Sequence, residues 1–288
     1  ASLKYPWGHG VARAAGSKKF GVFQCETVDF DWARLAKLEK KPTVEAALMD
    51  YADDIAYSVH DLEDFHRIRA VPWHIIEIDR RRKKRPATKA TELIDAALAA
   101  WFKAPPDAKK RLDDAAIFLI GSIKEHRPIY SEPYEGTRDQ RVSIRNWTSD
   151  LIHRYVRTLR PRIKIVSGDP VLVVNPEAEA EIRLLKQITR TFVIDETVIG
   201  AQQHGQRKIA KEVFDCLFED VARHRSIGKK LNVTPKRFHY LMEDSAGGVS
   251  NARLVADCIS SLTERELIAL HQRLTGQVGG SITDPIVR

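Results

Sequence analysis

Cysteine is scarce: Cys25, Cys216 and Cys258 are the whole complement of a 288-residue chain, and no two of them stand at a metal-ligand or redox spacing. There is no Cys-x-x-Cys pair, no Gly-rich phosphate loop and no serine on a nucleophile elbow. The patterns of dithiol redox proteins, P-loop nucleotidases and α/β-hydrolases are therefore missing. No apolar run approaches the ~18 residues of a membrane span, and no signal-peptide pattern heads the printed chain. A reduced compartment, the cytoplasm, is the expectation, without a membrane partner. The opening is Ala1-Ser2-Leu3-Lys4 rather than Met, as expected of a fragment or a processed chain.

Apolar residues make up 43% of the chain and charged ones 30%, enough to bury a substantial core as one large helical domain or two smaller ones. The net charge of +8 points to anionic partners, although a bulk figure does not locate the positive surface. The densest basic run, Arg80 to Arg85, reads as a solvated helix end or loop, with nucleic-acid contact as the rival.

Positive charge is also missing where it would be most expected. A helix predicted from about Thr43 to Ile68, with Pro42 before it and Thr43 as its cap, contains no Lys or Arg between Lys41 and Arg67. At ~100° per residue, Asp53, Tyr57, His60, Asp61 and Asp64 share one arc with Asp50 beside them, while Leu48, Tyr51, Ile55, Val59 and Leu62 form the opposite, apolar face. A solvated surface is the plain reading of that stripe. Against it, like charges at i,i+3 and i,i+4 repel one another. A divalent metal, or the hydroxyls and metal-bound phosphates of a ligand, would give the acids a purpose.

The rest of the chain predicts a mainly α fold. Helices are expected at about 31–38, 91–103, 107–125, 142–159, 176–191, 201–225 and 250–275, the last closed by Gly276. Two β-branched runs about Ser167-Gly168-Asp169-Pro170 predict one short hairpin at about 162–174. A Gly-rich, basic loop is expected up to Lys19, and a mobile tail over 277–288. Arg138, Arg141 and Arg145 are three or four residues apart, so at least two share a helical face, either solvated or holding phosphate through the forked guanidinium.

His60-Asp61 resembles a metal-binding dipeptide, but neighbours on a helix point ~100° apart and further ligands must come from elsewhere. Taken together, Ala52-Asp53-Asp54-Ile55-Ala56-Tyr57-Ser58-Val59-His60-Asp61-Leu62-Glu63-Asp64, the earlier Lys4-Tyr5-Pro6-Trp7 and Lys19-Phe20-Gly21-Val22-Phe23, and the late run 252–276 resemble one family in order along nearly the whole chain. It is the bacterial, dGTPase-like deoxynucleoside triphosphate triphosphohydrolases of the HD-domain superfamily, in their C-terminal part.

The resemblance implies an HD-type helical fold, 1–288 forming the C-terminal part of such an enzyme. It implies metal-dependent hydrolysis of dNTPs to deoxynucleoside and tripolyphosphate, with Mg or Mn as the divalent ion and a homo-oligomer, often a hexamer. It makes Asp53 a metal ligand, Asp61 a contact of the deoxyribose 3′-hydroxyl, Tyr57 a sugar or phosphate contact, Lys4 a phosphate contact and Tyr5 its neighbour. Arg145 joins these as a phosphate-binding candidate on position and charge alone. The family's other ligands, a His and a His-Asp pair, and its catalytic His and Glu fall in an N-terminal half that this sequence does not contain. No catalytic residue is therefore assigned within the chain. At Cys258, Ser260, Ser261, Glu264 and Glu266 the sequence departs from the family's usual residues. The alternative is a non-catalytic module that binds a regulatory nucleotide or single-stranded nucleic acid.

Overall fold

The computed structural model describes residues 4–9, 19–34, 42–73, 76, 89–126, 129, 133–243 and 249–277. The basic run Arg80 to Arg85, the loop over 10–18 and the tail beyond Gln277 lie outside them. The fold is mainly α with a single two-stranded hairpin among the described residues. The chain divides into two compact units, Ala1–Glu196 and Thr197–Arg288.

In the first unit, α1 (Thr27–Arg34) is followed by α2 (Val44–Arg67), α3 (Lys89–Ala99), α4 (Ala108–Glu125) and α5 (Arg138–His153). Then come β1 (Arg162–Val166), β2 (Asp169–Val173) and α6 (Pro176–Thr189). Helix α6 packs on α2, α3 and α4, and α2 also meets α5. The expected apolar face of α2 is the buried one at Tyr51, Ile55, Val59 and Leu62, worth about 2 kcal/mol for each side chain withdrawn from water. Leu48 is the exception, 48% exposed near the helix start. Trp147 of α5 sits edge-on to Trp73 at 5.5 Å and donates its indole N–H to Ser122 of α4 at 3.0 Å.

The hairpin turns through Ser167 and Gly168, with φ of +54° and +87°. Two consecutive left-handed residues match the right-handed twist of the flanking strands. Asp169 and Pro170 therefore belong to β2, opposite Val166 and Ile165. The hairpin rests on the core through Leu172 and Val174.

Helix α5 begins four residues before the expected 142 because Thr137 and Gln140 form a capping box. It passes into a π-helical turn, Arg154–Thr158.

The second unit is built on α7 (Thr197–Ile227), whose Val213, Leu217 and Val221 recur every fourth residue on one stripe. It continues with α8 (His239–Glu243), α9 (Asn251–Ser260) and α10 (Glu264–Leu274); α9 and α10 both pack on α7. The continuous helix expected over 250–275 is thus two helices. Thr263 accepts from the Glu266 amide while Glu266 takes the Thr263 amide at 2.8 Å, which starts a new helix where the old one would have continued. Cys258 is wholly buried in this core, where burial pushes its thiol up to about 11.

Candidate functional site

Helix α2 is nucleated at Thr43, whose hydroxyl accepts from the Ala46 amide at 3.1 Å. With Tyr51, Ile55, Val59 and Leu62 turned inward, Asp50, Asp53 and Asp54 are carried to the outer edge of the next turn. Asp53 is exposed and its two neighbours half-buried. One oxygen from each of these carboxylates lies within 4.8 Å of the others. Oxygen donors suit a hard divalent cation, so Asp53 and its neighbours fit part of a ligand set. No histidine belongs to this group.

Positive charge reaches the group from far along the chain. The Lys4 ammonium pairs with Asp50 and stands 3.8 Å from Asp53, and the Lys186 ammonium of α6 pairs with Asp54. The hydrogen bond that Lys4 donates to Asp50 raises the Lys4 pKa, against the opposing cost of burial. Tyr5, beside Lys4, leans on Trp7 at 5.5 Å between ring centres, and the Lys19 ammonium lies 5.9 Å over its ring.

Further along α2, Tyr57 is 50% exposed. Asp61 is half-buried, and burial followed by the Asp64 charge pushes its carboxyl upward while His60 opposes them. Asp53, Tyr57 and Asp61 thus form a ladder at i, i+4 and i+8 along one helix edge. His60 and Asp64 are exposed. Arg145 lies on the exposed side of α5, and among the described residues no hydrogen bond or ion pair joins it to Lys4, Asp53, Tyr57 or Asp61.

Beyond Asp61, Glu63 and His66 of α2 are buried. Glu63 accepts from the Thr148 hydroxyl at 3.2 Å and pairs with Arg67, which fixes α5 on α2. His66 is 3% exposed, and among the described residues its Nε2 has no hydrogen-bond partner. Burial, aided by Arg67, lowers it to about 4.

On the opposite face, the Tyr51 hydroxyl donates to the Tyr155 carbonyl at 3.2 Å, and burial with the Glu181 charge pushes it up to about 12. Glu181 receives three hydrogen bonds from the Arg154 guanidinium fork at 2.7 to 3.2 Å. Burial nevertheless keeps the Glu181 carboxyl above its ordinary range. Between α2, α6 and the end of β2 lies a cavity of about 540 Å³, bordered by Lys4, Asp50, Asp54, Glu179, Arg183 and Lys186, with Tyr51 in its wall.

The profile of the phosphohydrolase-associated domain matches residues 172–273, from β2 to α10. A deoxyguanosinetriphosphate triphosphohydrolase-like protein of Corynebacterium efficiens is 29% identical, over 97% of this chain and 62% of its own length. One from Streptomyces coelicolor is 28% identical, over 96% and 62%, and one from Vibrio campbellii 23% identical, over 90% and 55%. The resemblance to the dGTPase-like proteins holds. It covers nearly the whole chain, and the chain spans about three fifths of the length of the first two of these relatives. Among the described residues no helix is long and apolar enough to cross a membrane.

Of the site residues expected from sequence, the structure joins Lys4 to the Asp53 group and keeps Tyr57 and Asp61 on the same helix edge. Asp50, which the sequence places beside the acidic stripe, is joined here by Asp54, Lys186 and Arg183, which the sequence reading does not single out. The two lysines answer the charge that α2 cannot neutralise by itself, yet nothing in local spacing marks Lys186 as a partner of Asp54, 132 residues away by subtraction of their numbers.

Proposed function

We propose that this chain is part of a metal-dependent phosphohydrolase that cleaves deoxynucleoside triphosphates to deoxynucleoside and tripolyphosphate. The observation that carries the reading is the convergence of Lys4 on the Asp50 and Asp53 carboxylates, at the head of the Asp53, Tyr57 and Asp61 ladder. The names of the relatives support the same reaction class.

In this reading Asp53 holds a divalent ion, Mg or Mn, which supplies Lewis-acid activation of the phosphoryl group when bound. Lys4 meets phosphate charge, with Tyr5 beside it. Tyr57 packs on the sugar, and the Asp61 carboxyl receives the 3′-hydroxyl, which orients the nucleotide along the helix edge. The remaining metal ligands and the catalytic residues come from the part of the protein outside this chain, in a homo-oligomeric, cytoplasmic enzyme.

Incubating the complete protein with dGTP and Mn tests this directly. Equal amounts of deoxyguanosine and tripolyphosphate are expected, with both products lost on chelation. Orthophosphate or pyrophosphate as the first product would overturn it. The exposed Arg138, Arg141 and Arg145 on α5 favour a second reading, a nucleic-acid binding module. Single-stranded DNA binding that falls steeply with salt, in a protein that does not hydrolyse dNTPs, would mark that reading.

A further inference from the structure

The cavity beside the Asp53 group has a lining of mixed sign. Lys4, Arg183 and Lys186 bring three cations to it, and Asp50, Asp54 and Glu179 three carboxylates. At about 540 Å³ it falls within the ~300–1,000 Å³ usual for small-ligand sites.

Its cations differ in how they are held. Arg183 is held twice, because it donates to Glu179 at 2.9 and 3.2 Å and its guanidinium carbon lies 4.4 Å from the centre of the Trp101 ring. Lys186 is tethered by its tip alone to Asp54 and is one-third exposed. Ion pairs that water still reaches contribute little to stability, so their convergence from residue 4, α2 and α6 is not needed to hold the fold.

Such a lining discriminates among anions. A bare polyanion would be repelled by the three carboxylates about as much as it is attracted by the three cations. A condensed phosphate carrying a divalent ion can place its metal against the carboxylates and its phosphate oxygens against the ammonium and guanidinium groups.

We propose that Lys186 and Arg183 join Lys4 in lining a site for a metal-complexed chain of phosphates, the tripolyphosphate portion of the nucleotide. The inference rests on the hydrolase reading above and deepens it. It makes α6 the second arm of the phosphate clamp, the role that the sequence suggests for Arg145 on α5. Asp54 then also aims Lys186.

The test uses the complete protein with Mn and inorganic tripolyphosphate, followed by calorimetry and by inhibition of dGTP hydrolysis. Lys186→Met is expected to weaken tripolyphosphate binding and raise the KM for dGTP, each about tenfold, the order of one charge-assisted hydrogen bond. Lys186→Arg should restore most of both, and deoxyguanosine binding and the melting temperature should not move. Tripolyphosphate binding as tight in Lys186→Met as in the unmodified protein would overturn the site while leaving the hydrolase reading intact. If the unmodified protein fails to hydrolyse dGTP, the hydrolase reading falls and calorimetry still decides the site. Binding lost in Lys186→Met supports it, and no binding by the unmodified protein overturns it.

Discussion

The acidic edge of α2 and the buried Asp220 of the second unit show two opposite uses of a carboxylate. Asp220 is 2% exposed, and it receives the amides of Asn232, Val233 and Thr234 and the Thr234 hydroxyl at 2.8 to 3.1 Å. Burial pushes its carboxyl up, but these four donors outweigh that and hold it below the ordinary range. Both oxygens are satisfied by the fold, and Asp220 ties the loop after α7 to the helix itself. Asp50, Asp53 and Asp54 instead lie on the outer edge of α2 and, among the described residues, meet the tips of lysines brought from distant segments. A carboxylate saturated by backbone donors has nothing left for a ligand. One held by a movable ammonium keeps lone pairs that an incoming group can use.

That contrast is broken most severely by Asp220→Ala, which leaves three amides and a hydroxyl without their acceptor. A loss of about 3 kcal/mol is expected in denaturant unfolding, against less than about 0.5 kcal/mol for Asp53→Ala in the same assay. Equal losses would erase the distinction.

His66, on the buried side of α2, supplies an intermediate case. Its folded-state value of about 4 lies below the ordinary 6.5, so between those pH values the unfolded chain binds a proton that the folded one does not. Stability then falls as the pH is lowered from 6.5 towards 4, by about 3 kcal/mol if the whole difference is realised. His66→Phe should flatten this part of the pH profile relative to the unmodified protein; an unchanged slope would contradict it.

Smaller effects sharpen the functional side. Asp61→Ala in the complete protein should raise the KM for dGTP about tenfold while metal content stays constant. A metal lost along with the affinity would move Asp61 into the ligand set. Asp64→Asn should change neither stability nor turnover, because Asp64 is exposed and stands 4.0 Å from Arg67. A clear loss of turnover there would extend the site beyond Asp61.

Much of the fold was legible because the signals were local. Thr43 marked the start of α2, its apolar period marked the buried face, and Ser167-Gly168-Asp169-Pro170 marked the hairpin, although only its first two residues make the turn. Two other local signals were overlooked, the boxes Thr137 to Gln140 and Thr263 to Glu266, which moved one helix start and split one helix. The site was legible only in part. Asp53, Tyr57 and Asp61 share a periodic edge that any helical projection displays. Their counter-charges come through the fold from Lys4 and Lys186, and the donors to Asp220 are mainly backbone amides, which carry no residue signature. Arg145 illustrates the converse: spacing made it a candidate, whereas the cations converging on the acidic group come from elsewhere.

The central claim is that the α2 edge serves chemistry rather than folding. It is tested most directly by measuring tripolyphosphate release from dGTP with Asp53→Ala in the complete protein, alongside its melting temperature. The account predicts turnover reduced by about a thousandfold or more with the melting temperature unchanged. Full turnover in that variant would contradict it.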